Sequence, residues 1–185
     1  KAMSKVYVFL ADGFEEIEAL TVVDLLRRAK VYVDTVSITD DYTVRGAHGI
    51  PVQTEDLITE IDFKESDMIV LPGGMPGTTN LKEDENVRKA VQEAYDDGRY
   101  VAAICAAPTI LADMGLLKGK RATCYPDMES EIEDAYLTGA PVATDENIIT
   151  SQGVGTAIDF ALKLIEVLIS EEKAVEIADS IVYQR

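Results

Sequence analysis

Short apolar, β-branched runs alternate with amphipathic segments along this chain, and that alternation restricts its fold more than any other feature. "KVYVFL" (5–10), "VYVDTVSI" (31–38), "DMIVLPGG" (67–74), "RYVAAI" (99–104) and "NIITS" (147–151) each read as a strand, several running straight into a turn. Between them, residues 15–29 place Ile17, Leu20, Leu25 and Leu26 at helical spacing. "NVRKAVQEAYDDG" (86–98) is an amphipathic helix with glycine placed to cap it, and a further helix starts at Pro108. Residues 156–169 read as a helix apolar on most faces, and residues 171–180 as a last one. "RGAHGIPVQTE" (45–55) has turn residues around short extended pieces, which suggests a hairpin, while "RATCY" and "PVAT" add short strands. Strands separated by helices pair in parallel through crossovers, so the expected fold is α/β: a mainly parallel sheet with helices on both faces. Neither a linker nor a repeat divides the chain, so residues 1–185 are expected to form one domain, with Lys1 and Ala2 a remnant ahead of a native start at Met3.

In such a sheet the functional crevice lies beyond the carboxyl ends of the strands. That rule selects "ADGFEE", "PGGMPG", "CAAP" and "SQGVG", which all follow predicted strands and should converge. Composition then removes whole classes of function. A formal charge of −17 opposes nucleic-acid binding, which relies on Lys/Arg contacts to phosphate. The longest apolar stretches, such as Val101 to Ala107, are far short of the ~20 residues of a membrane span. With no charged-then-apolar leader and only Cys105 and Cys124, a reducing cytoplasm is the expected compartment. His48 is the only histidine, so a multi-histidine metal site is excluded and metal-free chemistry is the default.

The four loops differ in what they offer. "PGGMPGTTN" lacks the GK[ST] of a phosphate loop, and "GVGTAI" has Ile158 where a dinucleotide fingerprint needs glycine. Gly73 and Gly74 can still present backbone N–H groups to an oxyanion, or form only a tight turn. Cys105 ends a strand and precedes two alanines and a helix start. It reads either as a nucleophile on a sharp elbow, its thiolate favoured by the helix N-terminus, or as a small buried hydrophobe. Cys124, inside "RATCYP", reads as a buried strand residue. Of the acids in "GFEEIEA", Glu18 is flanked by Ile17 and Ala19; pointed into the crevice, it would have a raised pKa and could hydrogen-bond a thiolate. Glu16, and with less reason Glu15, read as solvated acids at a helix start. His48 could serve as base to Cys105 only if the hairpin brings it within hydrogen-bond reach.

Taken together, "FLADGFEEIEAL…VDLLRRA", "DMIVLPGGMPGTTNL", "VAAICAAPTIL" and "IITSQGVGTAIDFAL" resemble the DJ-1/ThiJ/PfpI superfamily, in its DJ-1-like branch, over about residues 5–170. The resemblance implies a flavodoxin-like three-layer α/β/α sandwich, usually a homodimer, with no metal or organic cofactor. It implies that Cys105 is the elbow cysteine, that Glu18 is the buried carboxyl hydrogen-bonded to it, and that Gly74 and Ala106 supply the backbone N–H groups facing the reactive site. Arg28 matches an arginine that lies near the partner subunit's pocket. Two positions depart from the pattern. Ala106 stands where the protease-like branch has histidine after its nucleophile, and Tyr125 stands where animal relatives have histidine, which counts against peptidase activity. His48 falls roughly where relatives carry a pocket arginine.

What the resemblance implies for function is a cysteine-dependent enzyme acting on small α-oxoaldehydes, of the glyoxalase or deglycase type, in oxidative or carbonyl stress. The alternatives are a non-enzymatic redox sensor or holdase working through oxidation of Cys105 and, more weakly, a peptidase or amidase.

Overall fold

Period-two alternation sorts the side chains of each strand onto two faces, and each face acquires its own core. The computed structural model describes residues 4–184, so the reading of Met3 as a native start lies outside the described residues. Along the chain run β1 (Lys5–Leu10), α1 (Glu16–Arg28), β2 (Tyr32–Ser37), β3 (Thr43–Arg45), β4 (Pro51–Gln53), β5 (Asp56–Leu57) and β6 (Met68–Leu71). There follow α2 (Gly77–Glu83), α3 (Glu85–Asp96), β7 (Tyr100–Ile104), α4 (Pro108–Asp113), β8 (Arg121–Ala122), β9 (Tyr136–Leu137), β10 (Val142–Asp145), β11 (Ile148–Ser151), α5 (Ala157–Leu168) and α6 (Glu171–Ser180). Seven strands form one sheet in the order β10-β11-β7-β6-β1-β2-β5. Every pairing is parallel except β10 with β11, which are joined by a tight turn. The expected α/β/α sandwich is therefore present.

On β1, Val6, Val8 and Leu10 face the core under α1, α5 and α6, while Tyr7 and Phe9 face the core under α3 and α4. Strands β6 and β7 alternate in the same way, Met68, Val70, Ala102 and Ile104 against Ile69, Leu71, Val101 and Ala103. Each fully buried aliphatic or aromatic side chain contributes about 1.5–3 kcal/mol, so both layers are held firmly to the sheet. Helix α5 packs directly beside α1 through Phe160, Ala161, Leu164 and Ile165. None of the described helices is long and apolar enough to cross a membrane.

The hairpin expected around residues 45–55 is β3–β4, paired antiparallel and folded over the start of α1. The sequence reading missed α2, β5 and β9, which are short and lack a strong period. It also placed Cys124 in a strand, which is corrected here. β8 ends at Ala122, and Cys124 lies beyond it, fully buried and with its Sγ 3.3 Å from the Tyr125 carbonyl.

Candidate active site

All four loops chosen by the strand-end rule meet at the carboxyl edge of β1, β6, β7 and β11. The Glu15 N–H donates to the Gly73 carbonyl at 2.9 Å, and the Cys105 N–H donates to the Ser151 carbonyl at 2.9 Å. Gly153 closes the ring, because a Cβ built there would lie 3.8 Å from Cys105 Sγ and 4.0 Å from Glu18 Oε2.

Cys105 has φ +66, a left-handed conformation that costs a non-glycine residue about 1–2 kcal/mol. The strain is held from both sides by hydrogen bonds, through its own N–H to Ser151 and through its carbonyl, which accepts from Tyr125 N–H at 2.8 Å. The chain thus turns sharply from β7 toward α4 and presents the thiol, half-buried, to the crevice. Glu18 sits in the first turn of α1 and is wholly buried. Its Oε1 accepts the Gly73 N–H at 3.0 Å, while Oε2 is buried with no hydrogen bond of good geometry. The carboxyl and the thiol nevertheless couple electrostatically. Gly73 is glycine for want of room, since a Cβ would stand 2.6 Å from Glu18 Oε1 and 2.7 Å from Cys105 Cβ.

Burial pushes the Glu18 carboxyl up to about 7, its contact with the thiol and the Gly73 N–H partly opposing and the charge of Glu15 adding. Burial, then the Glu18 charge, push the Cys105 thiol up to about 12, with only the Ala106 N–H pulling it down. The expected low-pKa thiolate is therefore corrected. The helix after Cys105 has only six residues, and its end cannot outweigh desolvation beside a carboxylate. The resting pair carries its proton on sulfur, with an ionisable base next to it. The Cys124 thiol is likewise pushed up by burial, to about 11.

Of the two expected backbone donors, the Ala106 N–H favours the charged form of Cys105. Gly74, at φ +92, is packed against the Glu15 backbone, and among the described residues no hydrogen bond engages its N–H. Gly73 spends its N–H on Glu18 and cannot serve an oxyanion at the same time. The Tyr125 ring reaches the crevice, its Cδ1 3.8 Å from the position of a Gly153 Cβ.

His48 is not joined to Cys105. Its Nδ1 lies 2.9 Å from Glu16 Oε1 and 3.3 Å from Glu15 Oε1, and its side chain is largely open to solvent. Glu16 was expected in solvent and instead lies under the hairpin, 4% exposed, where Oε2 accepts from His48 N–H and Ile50 N–H. Hydrogen bonds from the hairpin hold the Glu16 carboxyl below its ordinary range despite some desolvation. Glu15 caps α1, accepting from Ile17 N–H at 2.6 Å and Glu18 N–H at 3.2 Å. Arg28, at the far end of α1, pairs with Asp24 at 2.5 Å and takes no part in the crevice. Sequence reasoning selected the "SQGVG" loop but gave Gly153 no role of its own, and it read Glu16 as a solvated acid. Only a fold brings the first over the thiol and the hairpin over the second. A groove of about 870 Å³ between α5, α6 and β10 contains neither cysteine nor histidine.

Comparison with known proteins agrees with this architecture. The sequence profile of the DJ-1/PfpI family matches residues 4–167. An Arabidopsis thaliana protein named DJ-1 homolog B is 39% identical over 180 residues, covering 96% of this chain, which spans only 41% of that relative's length. A Schizosaccharomyces pombe protein named glutathione-independent glyoxalase DJ-1 is 34% identical over 92% of this chain and 94% of its own. The crystal structure of Drosophila melanogaster DJ-1beta superposes with a TM-score of 0.95 at 33% identity, covering 100% of both chains.

Proposed function

This chain belongs to the DJ-1/PfpI family, and on that premise we propose that it is a cysteine-dependent, cofactor-free enzyme converting small α-oxoaldehydes to 2-hydroxy acids. The observation that carries the reading is the Glu18 carboxyl, fully buried, held at one oxygen by Gly73 and otherwise facing only the thiol of a strained Cys105. A structural acid has no reason to be desolvated there, whereas a general base with a pKa of about 7 has. The similarity to a relative named as a glyoxalase points the same way.

As the aldehyde carbon approaches, the thiol proton passes to ionised Glu18 and sulfur bonds to that carbon, giving a hemithioacetal. Glu18 then returns a proton to the oxygen, removes the hydrogen of the former aldehyde carbon and delivers it to the neighbouring carbon through an enediol. The resulting thioester of Cys105 is hydrolysed by water, which restores the thiol and releases the 2-hydroxy acid. Developing oxyanion charge falls to the N–H groups of Ala106 and Gly74. With methylglyoxal and no glutathione, the wild type should form lactate, while Cys105→Ser should fall to the buffer rate. Equal turnover by both proteins would remove the proposal.

A second reading is oxidation of Cys105 by peroxide to a sulfinic acid, whose O–H would meet the buried Oε2 of Glu18. Intact mass after mild peroxide, with no aldehyde turnover, would favour it. We further propose that a second copy of the chain covers the exposed Ile17 and Leu20 of α1 and Ile158 of the adjoining α5, making a homodimer. The two free thiols suit a reducing compartment such as the cytoplasm.

A further inference from the structure

Where the β3–β4 hairpin folds over the start of α1, three ligand-type side chains meet outside the Cys105–Glu18 pair. Glu15 Oε1 and Glu16 Oε1 lie 3.3 and 2.9 Å from His48 Nδ1, and the three donor atoms fall within 4.8 Å of one another. The second oxygen of each carboxylate is already committed to backbone. Glu15 Oε2 accepts from Ile17 and Glu18 N–H, and Glu16 Oε2 from His48 and Ile50 N–H. The donors at the helix end are thus used up on the Oε2 atoms, and both Oε1 atoms converge in front of the imidazole.

Charge makes a separate argument. The glutamate side chains are only 12% and 6% exposed, whereas that of His48 is 69% exposed. Among the described residues, no lysine or arginine forms an ion pair with either glutamate. Carboxylates screened from water are ordinarily paired with a cationic side chain or bound to a metal, and here only one imidazole faces two of them.

We propose that Glu15, Glu16 and His48 bind a divalent first-row transition-metal ion of the zinc class at the mouth of the crevice. A tetrahedral site with bonds of about 2.0–2.1 Å has ligand-to-ligand edges of about 3.3 Å. The observed 2.9 and 3.3 Å separations need open by only a few tenths of an ångström to admit it. One imidazole nitrogen with two carboxylate oxygens suits Zn²⁺ or Co²⁺ better than Mg²⁺ or Ca²⁺, which take oxygen shells. On binding, the ion replaces the proton shared by His48 Nδ1 and Glu16 Oε1, and His48 keeps its remaining proton on the solvent-facing Nε2. The fourth position is left to water. The ion would join hairpin to helix without touching the thiol.

The test is titration of Zn²⁺ by calorimetry and of Co²⁺ by visible absorption, in the wild type and in Cys105→Ser, which lacks the competing thiol. One ion per chain should bind in both, with a cobalt spectrum lacking a thiolate charge-transfer band in Cys105→Ser. His48→Ala changes an exposed side chain and should fold normally, and it should bind at least about tenfold more weakly, as should Glu15→Gln. Saturable binding that disappears in Cys105→Ser, affinity unchanged by His48→Ala, or no saturation at millimolar metal would each overturn the proposal.

Discussion

Replacing Glu18 by glutamine separates the cost of burying an ionisable carboxyl from the shape of the side chain that carries it. Glu18 is completely shielded, and its charged form has one N–H donor, Gly73, in place of a hydration shell. Its pKa accordingly stands at about 7, against an ordinary 4.5. Between those values the folded chain holds a proton that the unfolded chain has released, so stability falls as the pH rises through that window. At about 1.4 kcal/mol for each unit of pKa, the loss amounts to roughly 3 kcal/mol in all. Glutamine keeps the volume and an oxygen for the Gly73 N–H but cannot ionise, so Glu18→Gln escapes this loss. The assay is urea unfolding of both proteins at several values from about pH 4.5 to about pH 8. The stability of the variant relative to the wild type should grow by roughly 3 kcal/mol across the range, or about 6–12 °C in Tm for a domain this size. Asp56 also titrates high, at about 6 through burial and its neighbour Asp34, but it contributes equally to both proteins and cancels in the difference. Cys105 titrates far above the window. A difference flat to within about 0.5 kcal/mol would refute the reasoning, since Glu18 would then ionise as it does in water. On the proposed enzymatic reading, kcat/KM of the wild type should rise with pH through about 7 as Glu18 becomes a base, and Glu18→Gln should lack that limb.

Gly153 has extended backbone, φ 168, and a Cβ there would make only ordinary contacts with the thiol and Tyr125. Gly153→Ala should therefore keep its Tm within about 2 °C while kcat/KM drops by about tenfold, and unchanged turnover would show that substrate does not approach from that side. Gly74→Ala meets the opposite situation. At φ +92 its Cβ would lie 2.4 Å from Glu15 N and 2.8 Å from Gly13 O, so urea unfolding should register a loss of about 1–3 kcal/mol. A loss below about 0.5 kcal/mol would count against the tight packing of the first and third loops. Ile158→Asp should shift the sedimenting species of the proposed homodimer to a monomer, and no shift would mean that another surface is used.

The alternation of apolar strands and amphipathic helices was enough to determine the layered fold, because each strand's period of two and each helix's period of 3.6 already states which faces must be buried. It also selected the four loops, since the carboxyl edge of a parallel sheet is a topological consequence and needs no side-chain detail. "VAAICAAPTIL" placed Cys105 at a strand-to-helix turn, but local order alone left an elbow nucleophile and a small buried hydrophobe equally open. What local order could not supply was environment. Glu16 looks like any acid at a helix start until β3 and β4, some thirty residues on, fold over it. The low-pKa thiolate expected of Cys105 fails because burial desolvates the sulfur and because Glu18, eighty-seven residues away in sequence, lies beside it. Gly153, placed in a crevice loop but given no role by the sequence, leaves space over the thiol only once β11 lies beside β7. Patterns that repeat along the chain are legible in it, whereas desolvation, charge and free volume at the crevice are sums over distant segments and exist only when the tertiary structure has brought those segments together.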